Sequence, residues 1–137
     1  MKDCKALEKL VTFLQGEIQK EYEDGRKYLV GAIALDDRGN IISMRTNIPK
    51  THPRMRELSR SAHWGSQKIF LHAEVATLVS SYTHVHTLII ARIKKDGTLA
   101  IAKPCPICRL AIKEAKVKKA YYTDEAGELT LLEENNA

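Results

Sequence analysis

The chain carries His72-Ala73-Glu74 and later Pro104-Cys105-Pro106-Ile107-Cys108, with His72 and Cys105 33 positions apart. If the imidazole and the two thiols act together, the fold must bring those distant positions to one point. Between them lies His86 to Ile93, nearly all apolar in its middle, which reads as a strand at the centre of a sheet. Pro104 and Pro106 suit the first turn of a helix, and His72 falls in the opening turn of another. The clusters therefore require two facing helices whose N-termini meet, joined through one central strand and its connections.

The rest of the chain supplies the layers for such an arrangement. Leu7, Leu10, Val11, Leu14, Ile18 and Tyr22 recur at helical spacing and predict an amphipathic helix over 3–23. Lys27 to Leu35 and Ile41 to Thr46 flank Asp36-Asp37-Arg38-Gly39-Asn40, a turn signal, and predict a hairpin. Asn47 to Gly65 is the least regular part, with helical turns expected over Arg54 to Ala62. The next helix is expected from about Phe70 to Ser81, with Val75, Leu78 and Val79 as its buried face. After the 86–93 strand and the Asp96-Gly97 turn, Leu99 to Ala102 briefly resumes the strand. The last helix runs to about Lys116. Val117 to Thr123 and Glu128 to Leu132 are strands about the turn Asp124-Glu125-Ala126-Gly127.

The order α-β-β-α-β-α-β-β predicts an α/β fold of three layers, α/β/α, about a five-stranded mixed sheet. Four residues between Thr123 and Glu128 are too few for a crossover, so the final hairpin is antiparallel. With 137 residues, a single domain over 1–137 is expected.

Composition narrows the setting. At 44% hydrophobic and 28% charged the chain has an ordinary globular make-up. It has no apolar run near the roughly 20 residues that cross a bilayer. Met1 to Lys9 alternates charge and lacks the apolar core of a signal peptide, so a cytoplasmic setting without a membrane partner is expected. Three cysteines make no disulfide framework, and in a reducing compartment Cys-x-x-Cys points to a metal or redox role. Cys4 receives no role. The net charge is +5, and Arg45 to Lys68 holds six Lys/Arg against Glu57 alone. Such a stretch recruits phosphate-bearing partners or is a solvated surface.

One imidazole and two thiolates leave one position of a tetrahedral zinc open, as catalytic sites require and structural ones do not. Helix N-termini favour anions and help hold Cys105 and Cys108 as thiolates. Zinc lowers the pKa of bound water towards neutrality. Glu74, two residues from His72, is placed to take a proton from that water without binding the metal. A closed structural zinc needs a fourth ligand, which His52, His84 or His86 would have to supply. Trp64 either stacks on a base or packs under its loop. His52 precedes the site's helix as a candidate substrate contact, and Arg54, Arg56 and Arg60 either grip phosphate or line a solvated face.

His-x-Glu followed by Pro-Cys-x-x-Cys is the signature of zinc nucleobase deaminases. From about residue 28 to 132 the chain resembles the cytidine deaminase superfamily in motif, spacing and element order. The resemblance implies zinc ligation by His72, Cys105 and Cys108, with Glu74 as proton shuttle. It implies substrate contacts from Asn47, at the end of the second strand, and from Ala73 inside the motif, and supporting positions at Pro104 and Arg109. The antiparallel final hairpin is similar to the free-cytidine branch, which includes the blasticidin deaminases. Arg109 after the second Cys is also similar to that branch, where an Arg hydrogen-bonds a zinc thiolate. Asn47-Ile48-Pro49 departs from the branch's Asn-x-Glu sugar motif by lacking the Glu. The implied reaction converts a cytosine-type base to uracil in a nucleoside or nucleotide, by a homo-oligomer. Single-stranded nucleic acid is the alternative substrate, and a non-enzymatic zinc-stabilised nucleic-acid-binding module the non-catalytic reading.

Overall fold

In chain order the computed structural model contains helix α1 (Lys2–Glu23) and strands β1 (Leu29–Leu35), β2 (Ile41–Thr46), β3 (Ile48–Thr51) and β4 (Phe70–Leu71). Helix α2 (Ala73–Ser80), strands β5 (Thr87–Ile93) and β6 (Leu99–Ala100), helix α3 (Pro106–Glu114) and strands β7 (Lys119–Thr123) and β8 (Leu129–Leu131) complete it. The structure describes residues 2–23, 29–51, 70–94 and 98–132. The expected turns at Arg54 to Ala62 lie outside them.

The main sheet runs β2-β1-β5-β7-β8. All its neighbours are antiparallel except β5 and β7, which run parallel. The period of two along the central strands explains the layering. Leu29, Ile33 and Leu35 of β1 pack with Ile89, Ala91 and Ile93 of β5 against Ala6, Leu10 and Leu14 of α1. The intervening Ala32, Ala34, Leu88 and Ile90 pack against Ala73 of α2 and Ile112 of α3. Both faces of β1 and β5 are thus covered, which is why these strands read as continuous apolar runs.

Helix α1 approaches the sheet closely at Gly31: a Cβ there would lie 2.7 Å from Leu14 Cδ2 and 2.9 Å from Leu10 Cδ1. Only glycine leaves room for those two leucines.

The two hairpin turns share one chemistry. In the first, Asp36 Oδ1 accepts the N–H groups of Arg38 and Asn40, with Gly39 at φ 85°. In the second, Asp124 Oδ1 accepts those of Ala126 and Glu128, with Gly127 at φ 80°. These bonds to backbone N–H, led by Asn40 and Glu128 respectively, hold both carboxyls below their ordinary range.

Three details differ from expectation. The main sheet has six strands rather than five. Leu99 and Ala100 pair with Ile93 and Arg92, on a stretch of β5 that the β7 pairing, ending at Ile90, leaves open. Thr123 Oγ1 donates to the Ala100 carbonyl at 2.7 Å and ties β6 to β7. Next, α2 starts at Ala73 rather than Phe70, because Phe70 and Leu71 pair with β3. Last, Val79 is 51% exposed, whereas Ala73, Val75, Ala76 and Thr77 are buried. Helix α2 is short and wedged between sheet and α3, and Val79 falls outside both contacts. Among the described residues no helix is long and apolar enough to cross a membrane.

Candidate active site

His72 and Cys105 occupy equivalent places, each the N-cap of its helix with extended backbone (φ −78°, ψ 153° and φ −69°, ψ 167°). Their carbonyls accept the first helical bonds, from Ala76 N–H and Arg109 N–H, both at 2.9 Å. Neither side chain makes a capping bond. Both turn instead toward each other across the seam between α2 and α3, which pack through Val75, Ala76, Ile107, Cys108 and Ala111.

His72 Nδ1 lies 3.1 Å from Cys108 Sγ and 3.5 Å from Cys105 Sγ. The three donor atoms all fall within 4.8 Å of one another. A tetrahedral zinc with bonds of about 2.1 Å to nitrogen and about 2.3 Å to sulfur separates its donors by about 3.6 Å. The spacing and chemistry of this set fit Zn2+.

The fourth-ligand candidates are spent elsewhere. His84 Nε2–H donates to the Lys116 carbonyl at 2.8 Å, and His86 Nδ1 pairs with Thr87 Oγ1 at 2.9 Å. Among the described residues no other His, Cys, Asp or Glu joins the three. His52 lies outside them.

The electrostatics suit a cation. The Cys105 thiol is lowered to about 4, chiefly by its hydrogen bond with Cys108, then by His72. Cys108 moves the opposite way, raised by its bond to Cys105 and by burial. The pair of thiols gives up one proton readily and resists losing the second. A dication replaces that second proton, which is how metal binding is linked to pH. His72 is raised, chiefly by its bond to Cys105. Glu74, in the first turn of α2, is 5% exposed, and this burial raises its carboxyl above the ordinary range.

The family model for the cytidine and deoxycytidylate deaminase zinc-binding region matches residues 4–124. The chain belongs to this family. A search of curated proteins finds no match. The three-layer α/β architecture is that of the cytidine deaminase-like fold, and the His72/Cys105/Cys108 group agrees with the zinc-binding region that the family model describes.

The remaining sequence-predicted positions lie as follows. Asn47 follows β2, and its Oδ1 accepts the Val30 N–H at 3.1 Å while its own N–H donates to the Val30 carbonyl. Its side-chain oxygen therefore fixes the edge of the β1–β2 pair. Ala73 is fully buried with its methyl in the sheet-facing core, so what it can offer a ligand is main chain. Pro104 is buried and Arg109 half-buried on the first turn of α3. His52 and Trp64 lie outside the described residues, as does most of the basic 45–68 stretch.

The sequence reading missed Thr77. One turn after Glu74 on the buried side of α2, its Oγ1 donates to the Ala32 carbonyl of β1 at 3.2 Å. Ser81 Oγ donates to the Thr77 carbonyl at 2.7 Å, and Ser80 Oγ shares a hydrogen bond with Ser43 Oγ of β2. This polar peg fixes the helix that carries His72 and Glu74. The available signal was a hydroxyl three residues after Glu74 in an otherwise apolar helix.

Proposed function

We propose that the chain is a zinc-dependent hydrolytic deaminase that converts a cytosine-type base to uracil in a nucleoside or nucleotide. The observation that carries this reading is a three-donor cluster with a buried carboxyl beside it that is not one of the donors. His72 Nδ1, Cys105 Sγ and Cys108 Sγ would hold the ion. When bound, zinc acidifies water and so supplies a nucleophile near neutral pH.

Glu74 is the proton carrier. Its carboxylate oxygen takes a proton from the attacking water and passes it to the ring nitrogen of the base. The proton of the new C–OH then passes by way of Glu74 to the exocyclic nitrogen, the C–N bond breaks and ammonia departs, so that water plus amine becomes carbonyl plus ammonia. Burial supports this role, because a carboxyl raised above its ordinary range takes a proton from water more readily than an ordinary carboxylate does. Ala73 would serve through its main-chain N–H, Asn47 through its carboxamide at the sugar, and Pro104 and Arg109 by seating the first turn of α3. His52 and Trp64 are proposed substrate contacts on sequence grounds alone. A homo-oligomer is proposed because 137 residues leave few walls for a closed pocket.

Zinc-loaded protein incubated with cytidine, deoxycytidine and their monophosphates should release ammonia from at least one of them. Glu74→Gln should keep full zinc content and lose about two to four orders of magnitude in turnover. A variant that deaminates like the parent refutes the assignment.

A further inference from the structure

The helix α3 region carries a second feature, at the end of the molecule away from the donor cluster. Lys113 to Lys119 holds four Lys and one acid, Glu114, a local surplus of three positive charges. Lys113 lies in the last turn of α3, and Lys116 follows just past its C-terminus at φ 56°. Lys118 and Lys119 continue at the start of β7. Lys113, Lys116, Lys118 and Lys119 are all exposed.

The α2–β5 connection lies against this strip. His84 Nε2–H donates to the Lys116 carbonyl, and the His86 carbonyl accepts from Lys118 N–H and Lys119 N–H, each at 3.0 Å. That connection presents Tyr82, which at 82% exposure is the most exposed large hydrophobic side chain described. An ordinary solvated helix face mixes both signs of charge. This one is of nearly single sign, and an aromatic ring with no packing role stands beside it. Among the described residues, Asp36 and Asp37 in the β1–β2 turn are acids at this end of the sheet, and they sit across β5 from the strip.

We propose that Tyr82, His84 and the lysines at 113, 116, 118 and 119 form a docking surface for the backbone of single-stranded nucleic acid, separate from the donor cluster. The lysines meet phosphates, and the tyrosine ring stacks on a base whatever its identity. A membrane-binding face brings a row of large aliphatic and aromatic side chains. Among the described residues, the large apolar side chains exposed on α2 and its connection to β5 are Tyr82 and Val79.

The test uses the full zinc-loaded chain and a fluorescein-labelled oligo(dT) of roughly 15 nucleotides, with anisotropy read between about 50 and 200 mM salt. Lys118→Glu/Lys119→Glu should weaken binding at least about tenfold and reduce the slope of log K against log salt by about 1.4. Lys5→Glu/Lys9→Glu on exposed positions of α1 makes the same change in net charge and should alter binding much less. Tyr82→Ala should weaken binding at least about fivefold without changing the slope. These substitutions are all at exposed positions, and unchanged unfolding midpoints would establish that each variant is folded. Equal losses in the two lysine pairs, or no measurable binding at the lowest salt, overturns the proposal. So does preference for phosphatidylserine vesicles over the oligonucleotide.

Discussion

The close approach of α1 to β1 at Gly31 gives a prediction whose size and sign can be worked out. In Gly31→Ala the new methyl would sit 2.7 Å from Leu14 Cδ2, 2.9 Å from Leu10 Cδ1 and 3.1 Å from Leu14 Cγ. Carbon atoms in contact prefer about 3.5 to 4.0 Å, so the helix or both leucines must retreat by close to an ångström. Leu10 and Leu14 are fully buried, so they move only against the packing around them. Overpacking of this kind costs about 1 to 3 kcal/mol. Leu14→Ala removes two of the three crowded atoms, leaving Leu10 Cδ1, and by itself leaves a cavity costing about 2 to 5 kcal/mol. In the double variant the methyl enters the space the leucine vacated. Its loss of stability should fall short of the summed single losses by at least about 1 kcal/mol. Urea unfolding of the four proteins at one pH measures this, with m-values checked for constancy. Zinc content should stay the same in all four, because α1 covers the sheet face opposite the donor cluster. Additivity within about 0.5 kcal/mol would refute the close approach, and loss of zinc in Gly31→Ala would refute the separation of the faces.

Burial raises Glu74 above its unfolded value near 4.5, so the stability tied to its neutral form is present below that value. It is lost as pH rises through the folded pKa. Metal-free Glu74→Gln should therefore match metal-free parent near pH 4 and exceed it increasingly above that, as read from urea midpoints along a pH series. Thr77→Val keeps the shape of the residue and strands the Ala32 carbonyl without its helix partner. It should cost about 1 to 2 kcal/mol, with most of that recovered in Thr77→Ser, measured by thermal unfolding. Gly127→Ala forces a side chain to φ 80° with its Cβ 3.1 Å from that of Leu99. A loss of about 1 to 2 kcal/mol is expected, against a gain of about 0.5 to 1 kcal/mol for Gly16→Ala inside α1, where nothing lies within 4 Å.

How much of this was legible in the sequence depended on how many residues carried each signal. Strands β1 and β5 are buried on both faces, so each announced itself over seven residues. Strand β6 has two residues, too few for any periodicity, and its existence follows from the length of β5 that β7 leaves uncovered. Val79 obeys the apolar spacing of α2 and is nevertheless exposed, because spacing gives a face and not the extent of what covers it. The donors His72, Cys105 and Cys108 were legible because their chemistry has few other uses in combination. Asn47 was legible as a position but not as a strand-edge clamp, since a single asparagine carries no record of which backbone amide it will meet.

The misplaced start of α2 has a different cause, and it bears on the site. A helix start is normally signalled by Ser, Thr, Asp or Asn, whose side-chain oxygen satisfies one of the free N–H groups of the first turn. Here that position is His72, and in α3 it is Cys105, and neither side chain makes the bond. Replacing a good cap with a residue that does not cap costs about 0.5 to 2 kcal/mol per helix. Pro106 offsets part of this at α3, since proline in the first turn removes one of the N–H groups that would lack a partner. Helix α2 has no such device, and its start went unread for the same reason that it is locally poor. Two adjacent helices each forgo a cap, and both released side chains point to one place. That shared departure from local preference is what a site built at the expense of stability should look like.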